Sequence, residues 1–198
     1  EDAGRYLFTP DIPTDFSINE PYMDRLGTTS GKYIGVNADK IYLTSGQRWD
    51  NVIISPKAKV KEIIIENPVV PANFFDIPLT PEWIKIKFIK ILSMRPFGNI
   101  KTKSYAFDKC RFNRTALSEL ATVNEELTKL QFSACDTPDL NLSMFKNLEE
   151  LQLIYTIDSS ELEKAVSGLN LKKLVLSGDI VNDNKKFISS LKQKGVKI

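Results

Sequence analysis

Between residues 127 and 179 the apolar positions fall into one short register, used three times. Leu127-Thr128-Lys129-Leu130-Gln131-Phe132, Leu148-Glu149-Glu150-Leu151-Gln152-Leu153 and Leu171-Lys172-Lys173-Leu174-Val175-Leu176 each read apolar, two variable, apolar, one variable, apolar. The alternation that closes each segment predicts a short strand with one buried face. The central leucines, Leu130, Leu151 and Leu174, recur after 21 and then 23 residues, a period that implies stacked supersecondary units. The same frame fits Phe107-Cys110-Phe112, Ile86-Ile89-Ile91, Val60-Ile63-Ile65 and, more loosely, Ala38-Ile41-Leu43, and a half-unit of Val196 and Ile198 closes the chain. Predicted central positions are therefore Ile41, Ile63, Ile89, Cys110, Leu130, Leu151, Leu174 and Val196. An ordinary α/β domain with several buried strands would also supply such segments, though not their even spacing.

Helical signals lie between the later strands. Asp158-Ser159-Ser160-Glu161 has the spacing of a capping box, and Leu162, Ala165, Val166 and Leu169 follow as one apolar stripe. Gly168 is placed to end that helix. Asn182 or Asp183 predicts the start of another, with Phe187, Ile188 and Leu191 inward and Gly195 beyond its end. Residues 115–124 predict a third.

The repeated segment resembles the leucine-rich repeat family, whose signature is LxxLxL followed by a turn position favouring Asn, Cys or Thr. Cys135, Thr156 and Asp179 stand at that turn position here. The resemblance covers residues 36–198 and is most specific after about residue 105. It implies an α/β solenoid, a horseshoe with a concave parallel β-sheet and short helices or loops on the convex side. Residues 36–198 would make seven to eight irregular units of 20 to 26 residues, with residues 1–35 as an N-terminal cap carrying Pro10, Pro13 and Pro21. Residues 66–83 depart furthest from the period. Their Phe74, Phe75 and Trp83 either fill the core or present aromatics to a partner.

Charge changes the picture little. Lys and Arg number 27 against 25 Asp and Glu, so the net charge of +2 predicts no strong global pull toward nucleic acid or membrane. No run of 18 apolar residues predicts a membrane span, and no signal peptide is visible. The chain begins with Glu1, so it is expected to be processed or excised from something longer. Val196-Lys197-Ile198 predicts an edge strand that further sequence or another chain would cover. In the predicted frame Cys110 and Cys135 are offset by about five strand positions, roughly 16 Å, too far for a disulfide. Two free thiols are expected, which fits a cytoplasmic protein or an exported bacterial one.

The chain contains no histidine, which excludes Ser-His-Asp and Cys-His catalysis within it and removes the commonest zinc ligand. No phosphate-cradling glycine pattern occurs. The expectation is a non-enzymatic protein with no catalytic residue, metal or cofactor. In an LxxLxL strand the variable positions project from the concave sheet. The frame places Tyr42, Ile64, Lys90, Arg111, Gln131 and Gln152 in one column, with Phe88, Lys109 and Lys129 before it and Leu92 after it. Lys90, Lys109, Arg111 and Lys129 then gather at mid-sheet. This is either the solvated face of a soluble repeat or a recognition surface for an acidic protein, anchored by Phe88, Leu92 or Tyr42. An anionic ligand or nucleic acid is the alternative, weaker because the chain is not basic overall and has no stacking series of aromatics. A targeting segment of a larger enzyme is a further alternative. Asn113 and Asn141 each begin an Asn-x-Ser/Thr triplet.

Overall fold

A computed structural model describes residues 60–66 and 78–198 in full, and three further strands as backbone. Among the described residues eleven strands run in chain order: β1 (Tyr33–Gly35), β2 (Lys40–Thr44), β3 (Val52–Ile54), β4 (Glu62–Glu66), β5 (Trp83–Lys87), β6 (Lys90–Ile91), β7 (Ser104–Asp108), β8 (Arg111–Phe112), β9 (Lys129–Ser133), β10 (Glu150–Ile154) and β11 (Lys173–Leu176). The α-helices are α1 (Ala116–Val123), α2 (Leu162–Val166), α3 (Gly178–Asp183) and α4 (Lys185–Gln193). The proposed cap lies outside the described residues apart from β1, and so do Phe74 and Phe75.

The fold is α/β, and its centre is a seven-stranded parallel sheet. Read from one edge, β2, β4, β5, β7, β9, β10 and β11 lie side by side in the order in which the chain visits them. Each connection therefore returns the chain to the edge it has just built. The register aligns Ile41, Ile63, Ile84, Tyr105, Leu130, Leu151 and Leu174 in one row. Leu43, Ile65, Ile86, Phe107, Phe132, Leu153 and Leu176 make the next row. From Ile63 to Leu174 the first row is at most 1% exposed. A third buried line, three residues before the first, consists of Val60, Pro81, Thr102, Leu127, Leu148 and Leu171. Fully burying one such leucine contributes about 1.5–3 kcal/mol, so continuous rows hold neighbouring strands in register.

Aromatics fill the middle of this core. Tyr105 and Phe107 stack at 5.6 Å, and Phe107 and Phe132 at 5.4 Å. Phe112 meets Phe107 and Phe132 edge-on, at 4.8 and 5.7 Å between centroids. The Tyr105 hydroxyl is buried without a hydrogen-bond partner, and burial pushes its pKa far up. The helices pack apolar stripes onto the same core. Ala116, Leu117 and Leu120 do so from α1, Leu162, Ala165 and Val166 from α2, and Ile188 from α4. The capping box forms as expected, with the Asp158 N–H donating to the Glu161 carboxylate at 2.8 Å. Gly168 and Gly195 both take positive φ just beyond α2 and α4, as helix-ending glycines do. Helix α3 was not foreseen. It places Asp179, expected in a turn, in a first helical turn, where an acid favours the amino-terminal dipole.

Two middle units are framed differently from the sequence expectation. Ile84 and Tyr105, not Ile89 and Cys110, align with Leu130. The reason is chemical. Pro81 and Thr102 occupy the first buried position of these units, so a template asking for leucine-like residues passes over them. Meanwhile Ile86 and Phe107 start a second apolar run that continues through Ile89 and Cys110 to Ile91 and Phe112. That run is also buried, Ile89 only in part, because β6 and β8 pair in parallel as a small sheet of their own. The expected frame thus slid by five residues without changing the period. At the other end Lys197, not Val196, faces the strand: it bridges to Lys173, which brings Ile198 level with Leu174.

Candidate interaction surface

Where each of four strands ends, one residue turns the backbone through left-handed space. Phe88, Lys109, Ala134 and Tyr155 have φ of 55°, 52°, 50° and 49°. Each stands four residues after its strand's central position. The conformation is fixed from the next unit: the Phe88 N–H donates to the Asp108 carbonyl, Lys109 to Ser133 and Ala134 to Ile154, at 2.8–3.0 Å. The Tyr155 N–H donates instead to the Ser177 hydroxyl at 3.0 Å, while the Ser177 carbonyl accepts from the Val181 N–H of α3 at 3.2 Å. Left-handed backbone costs about 1–2 kcal/mol for a residue with a Cβ, and glycine or asparagine is the usual occupant. Two of the four are aromatic.

These four side chains form an exposed row along one edge of the sheet. Among the described residues the exposed large apolar side chains are Phe88 (45%), Leu92 (60%) and Tyr155 (75%), so the row holds two of the three. The Lys109 ammonium lies 5.1 Å from the centre of the Phe88 ring, a cation–π contact. Directly after the row come the exposed Lys90 and Arg111, opposite one another in β6 and β8, with Asp136 next to Arg111 in the same ladder. Further along, Asp139 lies 3.8 Å from Arg114 and 3.6 Å from Lys164.

The predicted binding set therefore divides. Phe88, Lys90, Leu92, Lys109 and Arg111 come together at this edge and are absent from the sheet face, because the slipped frame puts the strand where the structure has the turn. The face itself carries Lys129, Gln131 and Gln152, together with Trp83, Lys85 and Ser104, which the frame passed over. Lys129 is paired with Glu150 at 3.5 Å, so the expected mid-sheet basic cluster is not there. Ile64 is on β4 but only 6% exposed, which removes it as a contact residue. Tyr42 lies beside it in β2 by backbone register. The depression among Lys129, Gln131, Glu150, Gln152, Lys173 and Val175 has a volume of about 30 Å³, too small for a ligand. The signal that could have located the true face is the buried Pro81 and Thr102, three residues before Ile84 and Tyr105.

Larger grooves lie on the helical side. One of about 570 Å³ runs between α1 and Met144–Asn147, and one of about 550 Å³ between Val166–Leu171 and α4. Neither holds a cluster of reactive groups, and no group of three metal-ligating side chains occurs among the described residues. Glu119 is structural. It accepts hydrogen bonds from the Ser93 hydroxyl (2.5 Å) and the Met94 N–H (2.9 Å), and Arg95 stands 3.3 Å away. The Ser93 hydrogen bond, more than the neighbouring charge, holds its carboxyl below the ordinary value.

The two cysteines are not where the slipped frame put them. Cys110 and Cys135 occupy the same turn position in adjacent units, since Arg111 pairs with Asp136. The Cys110 thiol donates to the Ile86 carbonyl at 3.3 Å and the Cys135 thiol to the Phe107 carbonyl at 3.4 Å, and Ile86 and Phe107 are themselves partners. Both are free thiols and both are buried.

No helix among the described residues is long and apolar enough to cross a membrane. Compared with protein-family models, curated proteins and solved structures, the chain matches none.

Proposed function

We propose that the chain is a leucine-rich-repeat solenoid that works as a protein-recognition module, without catalysis or cofactor, and that its docking edge is the row of strand-end turns with the β6–β8 ladder. The observation that carries this is Phe88: an aromatic kept in left-handed backbone, exposed, under Lys109 and beside Lys90, Arg111 and Leu92. Strain held at a surface position that glycine would relieve favours a use for the side chain. Aromatic and arginine anchors flanked by charge are the chemistry of protein hot spots. Stacked strands in chain order, recurring every 21 to 25 residues, support the solenoid reading. The partner would be an acidic protein segment with one apolar anchor. Asp136 and Asp139 interrupt the cations, which favours a protein over a nucleic acid.

The test is selection of binding peptides from a random library on the intact chain. Enrichment of Asp and Glu around an aromatic or aliphatic residue is expected. That binding should disappear in Lys90→Glu/Arg111→Glu and weaken at least tenfold, about 1.4 kcal/mol, in Phe88→Ala. Gln131→Ala/Gln152→Ala on the sheet face should leave it intact. Peptides without acidic enrichment, or binding lost only through the face variant, would overturn the reading. Binding of a nucleic acid whose salt slope falls in the charge variant would favour the anionic-ligand alternative.

A further inference from the structure

We infer that Cys110 and Cys135 form a modification site, a thiol pair that a hydroperoxide converts reversibly to a disulfide between adjacent strand–turn units. The Asp136 N–H donates to the Cys110 carbonyl at 2.9 Å, so the two residues face each other across a parallel pairing. Neighbouring strands lie about 4.8 Å apart, inside the 4.4–6.8 Å that disulfides span between Cα atoms. The side chains point the same way, each toward the carbonyl one unit back. Each thiol feels the other: the neighbouring Cys110 holds the Cys135 thiol below its ordinary value, while the neighbouring Cys135 and burial push the Cys110 thiol up.

Cys135 is therefore the residue that reacts first. It is also the more accessible of the two, 5% exposed against 1%. Its thiolate attacks one peroxide oxygen, the O–O bond breaks, and the leaving hydroxide takes the thiol proton as water. Cys135 is then a sulfenic acid. The Cys110 sulfur attacks the Cys135 sulfur, the S–O bond breaks, and hydroxide leaves with the Cys110 proton as a second water. Two thiols and one peroxide become one disulfide and two waters. Side chains that start parallel must swing together and release two S–H···O bonds, so the closed form is strained and easily reduced by a monothiol. That makes it a reversible mark and not a permanent staple. The inference is independent of the docking edge, although Lys109 and Arg111 flank Cys110 in sequence.

The experiment exposes the reduced full chain to hydrogen peroxide, blocks remaining thiols under denaturing conditions and maps peptides by mass spectrometry. A Cys110–Cys135 cross-linked peptide from monomeric chain, lost again on incubation with glutathione, is the expected result. In Cys110→Ala, Cys135 should proceed to sulfinic acid, because nothing resolves its sulfenic acid. The inference is overturned if wild-type thiols alkylate independently after peroxide, if they end as separate sulfinic acids at the rate seen in Cys110→Ala, or if cross-links form only between chains. The wild-type mapping needs no variant, so a misfolded substitution cannot mask the outcome.

Discussion

The units centred on Leu130, Leu151 and Leu174 and those centred on Ile84 and Tyr105 share one backbone but fill it differently. The later units repeat leucine at every inward place except Phe132. The middle ones use Pro81 and Thr102 at the first place, isoleucine or aromatics at the next two, and extend the buried run into β6 and β8. The same strand, left-handed turn and return are reached both ways. What the period requires is an apolar or internally satisfied group at each depth, not one residue type.

Four substitutions sharpen or break that comparison. The largest effect is expected in the leucine region. Leu151→Ala should cost about 2–5 kcal/mol in urea unfolding, since a row buried on both sides cannot collapse around the hole. A cost near zero would mean the leucine rows are not a shared interior. Next is Glu119→Gln in the middle region, at about 1.5 kcal/mol, the low end for hydrogen bonds to a charged group because Glu119 is partly open to solvent. Its depressed carboxyl stabilises the fold above the ordinary value of 4.5 and loses that contribution as pH falls below it. Acid unfolding of the variant should accordingly show a shallower pH dependence in that window; an unchanged slope would remove Glu119 from the account. Ala134→Gly should be stabilising by up to about 1 kcal/mol in thermal melts, the reverse of what Gly costs in a helix, because φ is 50° there. The smallest effect is Tyr105→Phe, neutral or stabilising by a few tenths to about 1 kcal/mol, since the hydroxyl has no partner to lose. A marked loss would show that a water or another group satisfies it.

Legibility follows the same division. Leu130, Leu151 and Leu174 were readable because the inward residues are apolar and the flanking ones polar, so phase and period agree. In the middle units the phase was hidden. Thr102 is buried yet polar in type, and its carbonyl is engaged by the Asn124 amide at 2.7 Å. The turn positions Ile89 and Cys110 are apolar and mimic strand positions. The candidate docking residues survived this error as a group, since Phe88, Lys90, Leu92, Lys109 and Arg111 moved together from face to edge. Their company was legible; their location was not, because a shift of five residues exchanges strand for turn. The left-handed row could not have been foreseen from Phe, Lys, Ala and Tyr, residues whose types argue against it.

The forward hydrogen bonds of that row give the molecule a polarity of dependence. Phe88 is secured by Asp108, Lys109 by Ser133, Ala134 by Ile154 and Tyr155 by the Ser177 hydroxyl, so every turn leans on the strand that comes after it. For these four amides, loosening should spread from late residues toward early ones. Ser177→Ala should therefore expose the Tyr155 amide to hydrogen exchange first and leave the Phe88 amide protected longest.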